Sequence, residues 1–384
     1  MSVTITGADG IDKIQDGAVV TADIADANVT TTKIASTVPL GTKNLIINGD
    51  MRIAQRGTSA VSGDANFPVD RWRIVGNQAS KYSAQQSSDV PSGQGFTNSI
   101  VLTSLSSYTE SAGDYFLLQH RFEANNIAHL EYGTANAKSV TLSFWVKSSL
   151  TGTFAGALRD GGSYSTSYIF EYTILAANTW EKKTITISGP TTGTWLSGTS
   201  VGAELSFAAG GGSNFDGTAS AWQSTNDYLT AAATRIVNTN AATLYLTGVQ
   251  LEEGDTATSF EHRPYGAELA LCERYYQKNY LMEDAPGVST SGENTRYMHG
   301  SSDGSSNGAA GIFWRCRMRA TPTVTFYTDG GTQGQWNYAR SGASGAGSFI
   351  AYRVGDTGAN GYMGVGAAWA TCSVWGNWTA SAEV

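Results

Sequence analysis

The chain has 384 residues, 41% of them hydrophobic and only 15% charged, and its 45 glycines outnumber its 32 Asp and Glu. With 18 Tyr, 13 Phe and 10 Trp it is not an intrinsically disordered composition, and few charges beside much Gly, Ser and Thr favour short strands and turns over helices. A formal net charge of −8 with no run of Lys or Arg excludes a nucleic-acid partner held through its phosphates.

Met1 to Thr6 carries neither the basic nor the apolar segment of a signal peptide, and no run of about 18 apolar residues occurs, so neither export nor membrane insertion is expected. Residues 11–34 repeat a ten-residue unit in which Ile14, Val19, Ile24, Val29 and Ile34 recur every five positions. Five residues advance a helix by about 500° and are an odd step along a strand, so neither element gathers these side chains on one face. Three copies wound about an axis could pool them, and residues 1–42 read as a trimeric stalk, with a flexible polar linker as the other reading.

Pro39-Leu40-Gly41-Thr42 is turn chemistry, and a domain over residues 43–265 follows it. Strands are expected at 44–48, 71–75, 99–103, 114–122, 139–147, 168–174, 182–187, 201–207 and 242–251. Val140, Leu142, Phe144 and Val146 alternate with Thr141, Ser143, Trp145 and Lys147, the period of a half-buried strand. Strands without intervening helices make the fold all-β, an antiparallel sandwich. Gly-rich 208–217 reads as a surface loop. Leu269, Cys272 and Tyr276 recur at helical spacing, so a short linking helix is expected over 266–280. Residues 281–384 form a smaller β-rich tip, with strands at 312–318, 323–327, 349–354 and 366–375, and its glycine content makes packing by neighbouring copies the expectation. Cys272, Cys316 and Cys372 are far apart and odd in number, which points to reduced thiols rather than a disulfide framework or zinc site.

The run Asn44-Leu45-Ile46-Ile47-Asn48-Gly49-Asp50-Met51-Arg52-Ile53-Ala54-Gln55-Arg56-Gly57-Thr58 resembles the opening signature of a family of bacteriophage tail-fibre proteins. Val69-Asp70-Arg71-Trp72, the segment Val140 to Lys147, Gly248-Val249-Gln250-Leu251-Glu252-Glu253-Gly254-Asp255 and the run from Phe260 through Tyr265 to Tyr276 are similar to further motifs of that family, in the same order. The resemblance covers roughly residues 43–280. It implies a jelly-roll domain similar to carbohydrate-binding modules, carried on a homotrimeric fibre with a variable tip. It also implies a virion location after assembly in the bacterial cytoplasm, an N-terminal segment docked on tail or adaptor proteins, and a host-surface glycan or lipopolysaccharide as partner. Related modules hold a structural calcium through residues near the first strand and an Asp in the last. Here Leu244-Tyr245-Leu246-Thr247-Gly248-Val249 offers no carboxylate at that place, so no metal ligand is assigned and no cofactor is expected.

Sugar recognition needs flat apolar faces for the C–H side of a pyranose and polar groups for its hydroxyls. In the tip, Trp336, Asn337 and Tyr338, and Trp375, Asn377 and Trp378, offer both; in the first domain Trp195, Trp222 and Tyr228 lie in loop-like sequence with Asn214, Asp216, Asn226 and Asp227 nearby. Packing in a core or three-fold interface is the competing role for each group, and Trp72, Trp145 and Trp180 read as packing residues. His120, His129, His262 and His299 are scattered, and Glu252-Glu253 and Glu261-His262, the densest acidic spots, lie inside the motifs. No nucleophile elbow, metalloprotease motif, P-loop or dinucleotide fingerprint occurs, so no catalytic residue is assigned and an enzyme is not expected. The expected function is host attachment by non-covalent glycan recognition. The rivals are a structural fibre segment or decoration protein, and a depolymerase tailspike, which a long β-helix repeat would announce.

Overall fold

The computed structural model describes residues 43–290, 301–302, 307–340, 343–364 and 372–384. The stalk positions Ile14, Val19, Ile24, Val29 and Ile34, and His299 with them, lie outside the described residues.

Alternating apolar residues and frequent turns produce β1 (Val61–Ser62), β2 (Asn66–Val69), β3 (Trp72–Gly76), β4 (Tyr82–Ser87), β5 (Ser99–Ser104), β6 (Tyr115–Glu123), β7 (Val140–Ser148), β8 (Gly152–Asp160), β9 (Ser167–Ile174), β10 (Glu181–Ile187), β11 (Val201–Gly211), β12 (Trp222–Gln223) and β13 (Thr243–Glu253). They pair antiparallel into a six-stranded sheet, β1-β4-β5-β13-β7-β10, and a seven-stranded sheet, β12-β9-β8-β11-β6-β3-β2. The inner faces meet in one core, where Phe144 of β7 stands edge-on to Phe207 of β11 with centroids 5.0 Å apart. Val140, Leu142, Phe144 and Val146 are all buried in it, as their alternation predicts.

Two expectations change. Residues 44–48 do not form a strand: Asn48 is left-handed (φ 58°), and the Asn44 carboxamide oxygen accepts from Ile46 N and Leu251 N instead of leaving those amides to a ladder. Residues 208–211 are not loop but the buried end of β11. A Cβ at Gly210 would lie 2.4 Å from Val237, so the glycine there serves close packing rather than a turn. Strand β8 escapes the sequence for a similar reason: Gly156 sits on its inward face between Phe154 and Leu158, because a Cβ there would meet Ser206 O at 2.3 Å.

The family-like motifs bind one another. Asn48 Nδ2 donates to Ile53 O and Asp70 O, the Trp72 indole donates to Asn48 O at 3.0 Å, and buried Glu268 accepts from Asn48 N at 2.5 Å. Arg263 donates to the carbonyls of Asn44 and Ile46. Residues 210–220 positions apart in sequence are thereby locked at one end of the sandwich. Late in β13 the register shifts between Thr247 and Gln250, and Gly248 takes φ 59° with a would-be Cβ 2.5 Å from Phe96. Gly248→Ala should therefore cost at least about 1–2 kcal/mol from the left-handed backbone alone, read as a lower urea midpoint with unchanged slope.

A helix, α1 (Tyr265–Glu273), is shorter than the expected 266–280. Residues beyond it form β14 (Tyr276–Lys278), where pairing with a later strand satisfies the backbone that another helical turn would have. The remaining strands are β15 (Ser301–Ser302), β16 (Asn307–Phe313), β17 (Thr323–Tyr327), β18 (Gln335–Arg340), β19 (Ala343–Ser348), β20 (Ile350–Tyr352), β21 (Gly358–Gly364), β22 (Cys372–Trp375) and β23 (Asn377–Ser381). They make three small sheets, β14-β23-β17, β15-β16-β21-β20 and β19-β18-β22, around their own apolar cluster. The tip packs on the sandwich, where Glu383 pairs with Arg56 and Arg71, and Arg274 at the end of the linking helix holds Glu123 at 2.7 Å. Cys272 is buried as a free thiol and Cys316 is half-buried and free.

Candidate functional site

Strand alternation turns every second residue of the seven-stranded sheet away from the core. On that outer face stand Arg73 and Val75 of β3, Tyr115, Leu117, Gln119 and Arg121 of β6, Arg159 of β8 and Glu204 of β11, lining a cleft of about 270 Å³. Register explains their proximity: Arg73 lies opposite Gln119, and Glu204 lies opposite both Arg121 and Arg159.

Glu204, only 1% exposed, is the hub. Its Oε1 accepts from Arg121 Nε at 2.8 Å and its Oε2 from Arg159 Nη2 at 2.9 Å. Arg159 is 3% exposed and lies 4.1 Å over the Tyr228 ring, and its Nη1 donates to Asn226 Oδ1. Arg121 spends its other nitrogens on Tyr164 Oη and Val384 O. Arg73 donates its Nε to Gln119 Oε1 at 3.1 Å. Burial and the neighbouring Arg121 push the Arg73 guanidinium pKa below its ordinary value.

Two segments wall the cleft. The 212–242 excursion folds back over the sheet and packs Tyr228 and Leu229 against Val75, Leu117, Ile169 and Ala208. Arg235 pins it by donating to Gly211 O at 2.8 Å and Asp216 Oδ1 at 2.9 Å. Phe215 and Tyr228 stand at 4.8 Å from each other, with Tyr115 edge-on to Phe215 at 5.7 Å. Opposite, the turn after β8 wraps around the fully buried Asp160 carboxylate, which accepts from the amides of Gly162, Ser163, Tyr164, Ser165 and Thr166 at 2.7–3.1 Å. That wrap presents Tyr164 to the cleft. Rings, guanidiniums and amides facing one concavity can stack on a ring-shaped ligand and hydrogen-bond its edge.

Residues expected from sequence fall elsewhere. Trp336 is fully buried, stacked on Phe349 at 4.1 Å with its indole donating to Asn377 O, so it is a core residue of the tip and not a sugar platform. Asn377 and Trp378 are buried too, Trp378 edge-on to Trp314 at 5.1 Å. Alternation in β18 and β23 turns Trp336 and Trp378 into the tip's apolar cluster, whereas Asn377, on the opposite face of β23, is buried with its amide donating to Thr290 Oγ1. Asn337, Tyr338 and Trp375 are half-buried; Asn337 lies opposite Trp375, and both hold Asp329, through its amide and its carboxylate. Trp195 and Trp222 do come together, 5.8 Å apart with Tyr132 between them, but each is half-buried against the core and donates its indole to a nearby carbonyl. Of the first-domain group expected from sequence, Tyr228 and Asn226 line the cleft, while its arginines and Glu204 were missed. Their signal is sparse but present: Glu204 is the single charge of β11, Arg159 follows an apolar run in β8, and Gln119 and Arg121 stand two apart on β6.

The Asn44 side chain is committed to Val249 O and to amides, and the Glu252 carboxylate accepts from Thr258 and Gln250. Among the described residues, no group of three or more His, Cys, Asp or Glu could hold a metal ion.

No protein-family model and no curated protein matches the chain. Among solved structures, the enzymatically active domain of tailspike protein 4 of bacteriophage CBA120 is similar at 15% identity and a TM-score of 0.31, over 55% of this chain and 21% of that one. A putative sugar-binding protein from Bacteroides thetaiotaomicron is similar at 10% identity and a TM-score of 0.32, over 55% of this chain and all of that one. A family 11 carbohydrate-binding module of a Clostridium thermocellum cellulase is similar at 14% identity and a TM-score of 0.26, over 54% and 99%. The chain thus spans about a fifth of the tailspike's length, and the sandwich stands on its own strand pairing rather than on these likenesses.

Proposed function

We propose that this chain is a bacteriophage tail-fibre protein that attaches the virion to its host by non-covalent binding of a surface glycan, as a homotrimer whose residues 1–42 face the tail. The observation that carries the reading is the cleft, where Tyr115 and Phe215 offer ring faces beside the hydrogen-bonding groups of Arg73, Gln119 and Asn226. Its fibre context rests on the motifs from Asn44 to Tyr276. Binding without turnover is supported by the lining, whose one carboxylate, Glu204, is held by two guanidiniums, whereas glycoside hydrolysis uses a pair.

Association of copies has support in the tip. Phe313 (82% exposed), Ile350 (51%), Tyr352 and Tyr362 share one face of the β15-β16-β21-β20 sheet through register, leaving an apolar surface bare in the single chain. Three weak sites on one fibre raise apparent affinity by about 10² or more.

The test is size-exclusion chromatography with light scattering on the full chain mixed with each of a panel of bacterial surface polysaccharides. Co-elution at a protein mass of three chains, with polymer length unchanged, is expected. Tyr115→Ala should weaken binding about two- to tenfold, measured below its own melting transition because Tyr115 also packs against Phe215 and Tyr228, since a lost aromatic platform is worth roughly 0.5–1.5 kcal/mol. A shortened polymer would identify an enzyme, and a monodisperse monomer would remove the trimer.

A further inference from the structure

We propose that the cleft selects an anionic sugar, a saccharide unit carrying a carboxylate or phosphate group that Arg73 reads. The inference rests on the glycan-binding reading above and narrows it to a substrate class.

The first support is a charge imbalance in a confined space. Arg73, Arg121 and Arg159 line the cleft against the single carboxylate of Glu204, so three cations minus one anion leave an excess of two positive charges on the lining. This excess sits in a chain whose formal net charge is −8. Concentrating cations in a concavity is the arrangement that draws in an anion.

The second support is how the hydrogen bonds are distributed. Both Glu204 oxygens are consumed, by Arg121 and Arg159, and Arg121 has further acceptors in Tyr164 and Val384. Arg73 differs. Only its Nε finds a protein acceptor among the described residues, Gln119 Oε1, and it forms no ion pair there. The other carboxylate that bears on it is Asp64, exposed on the turn before β2. The two terminal nitrogens of Arg73 therefore form a fork without a partner, held by Gln119 at the rim of the cleft. A planar guanidinium with both terminal N–H groups available matches the two oxygens of a carboxylate or phosphate, and does so better than a neutral hydroxyl, which offers one oxygen.

The third support is size and composition. About 270 Å³ is smaller than most drug-sized pockets, so the cleft takes one unit of a longer chain rather than a whole oligosaccharide. Tyr115 and Phe215 line it with Arg73, so one bound unit can cover an aromatic face with its C–H groups while turning its anionic substituent to the guanidinium.

The test is an array carrying neutral, carboxylated and phosphorylated bacterial oligosaccharides, each acidic glycan also present as its methyl ester or dephosphorylated form. Full-length protein should be retained on carboxylated or phosphorylated spots, and the signal should fall tenfold or more on the matched neutralised spots. Retention on carboxylated spots alone, or on phosphorylated spots alone, identifies which anion the cleft reads. Arg73→Gln, with an unchanged melting temperature, should bring the paired spots to equal signal. Equal binding of wild-type protein to neutral and acidic members of each pair overturns the anionic selection and leaves the glycan-binding reading standing. Silence on every spot overturns both. The wild-type comparison needs no variant, so a folding defect in Arg73→Gln does not blunt the test.

Discussion

Replacing Glu204 with leucine is expected to lower the unfolding free energy by about 3–5 kcal/mol, because it leaves Arg159 buried beside Arg121 with no counter-charge. The carboxylate is 1% and Arg159 3% exposed, so water cannot replace the lost partner, as it would at a surface ion pair worth at most about 1 kcal/mol. Urea unfolding checks it: the midpoint should drop with the slope unchanged. A second variant isolates the cause. Glu204→Leu combined with Arg159→Leu removes both charges and should recover most of the loss, since an apolar pair of similar volume can replace a buried ion pair at little cost. A single variant with wild-type stability would mean that Arg159 is hydrated in solution, and the account of Glu204 as the hub would fail.

Trp336→Ala should cost a comparable amount, about 3–5 kcal/mol, but in the tip. The indole is fully buried, stacked on Phe349, edge-on to Phe326 at 5.4 Å, and hydrogen-bonded to Asn377 O. Removing it opens a cavity lined by these rings and leaves that carbonyl without its indole donor. Enlarging Gly376 cannot help fill it, since a Cβ there would lie 2.6 Å from the Tyr327 carbonyl oxygen even with the indole gone. Thermal unfolding followed by near-UV circular dichroism should show a lowered transition, while glycan binding below that transition stays at wild-type affinity. The opposite pattern, intact stability with binding lost, would restore Trp336 as a sugar contact.

These two residues show where reading the chain succeeds and where it stops. A strand's period of two is local, so the alternation in β7 was enough to place Val140, Leu142, Phe144 and Val146 in a core, and most strands of the sandwich were legible within a residue or two. The same period applies to Gln335–Arg340, yet it says only that Trp336 and Tyr338 share one face and Asn337 the other. Which face is inside depends on Phe349 and Asn377, which arrive from elsewhere in the chain. Gly-rich 208–211 misled for a related reason: a glycine that permits close approach of Val237 is indistinguishable in sequence from one that makes a turn.

Composition and local pattern thus determined by themselves that this protein is built of β-strands with an antiparallel sandwich after residue 43, and that it carries no run of Lys or Arg. The tertiary structure decided the site. Arg73, Arg121, Arg159 and Glu204 come from four strands and span 131 positions, and no local spacing relates them. They meet because strand order places β3, β6, β11 and β8 side by side, and because register sets each charge opposite its partner. Long-range pairing is a property of the whole sheet, and only the folded chain displays it.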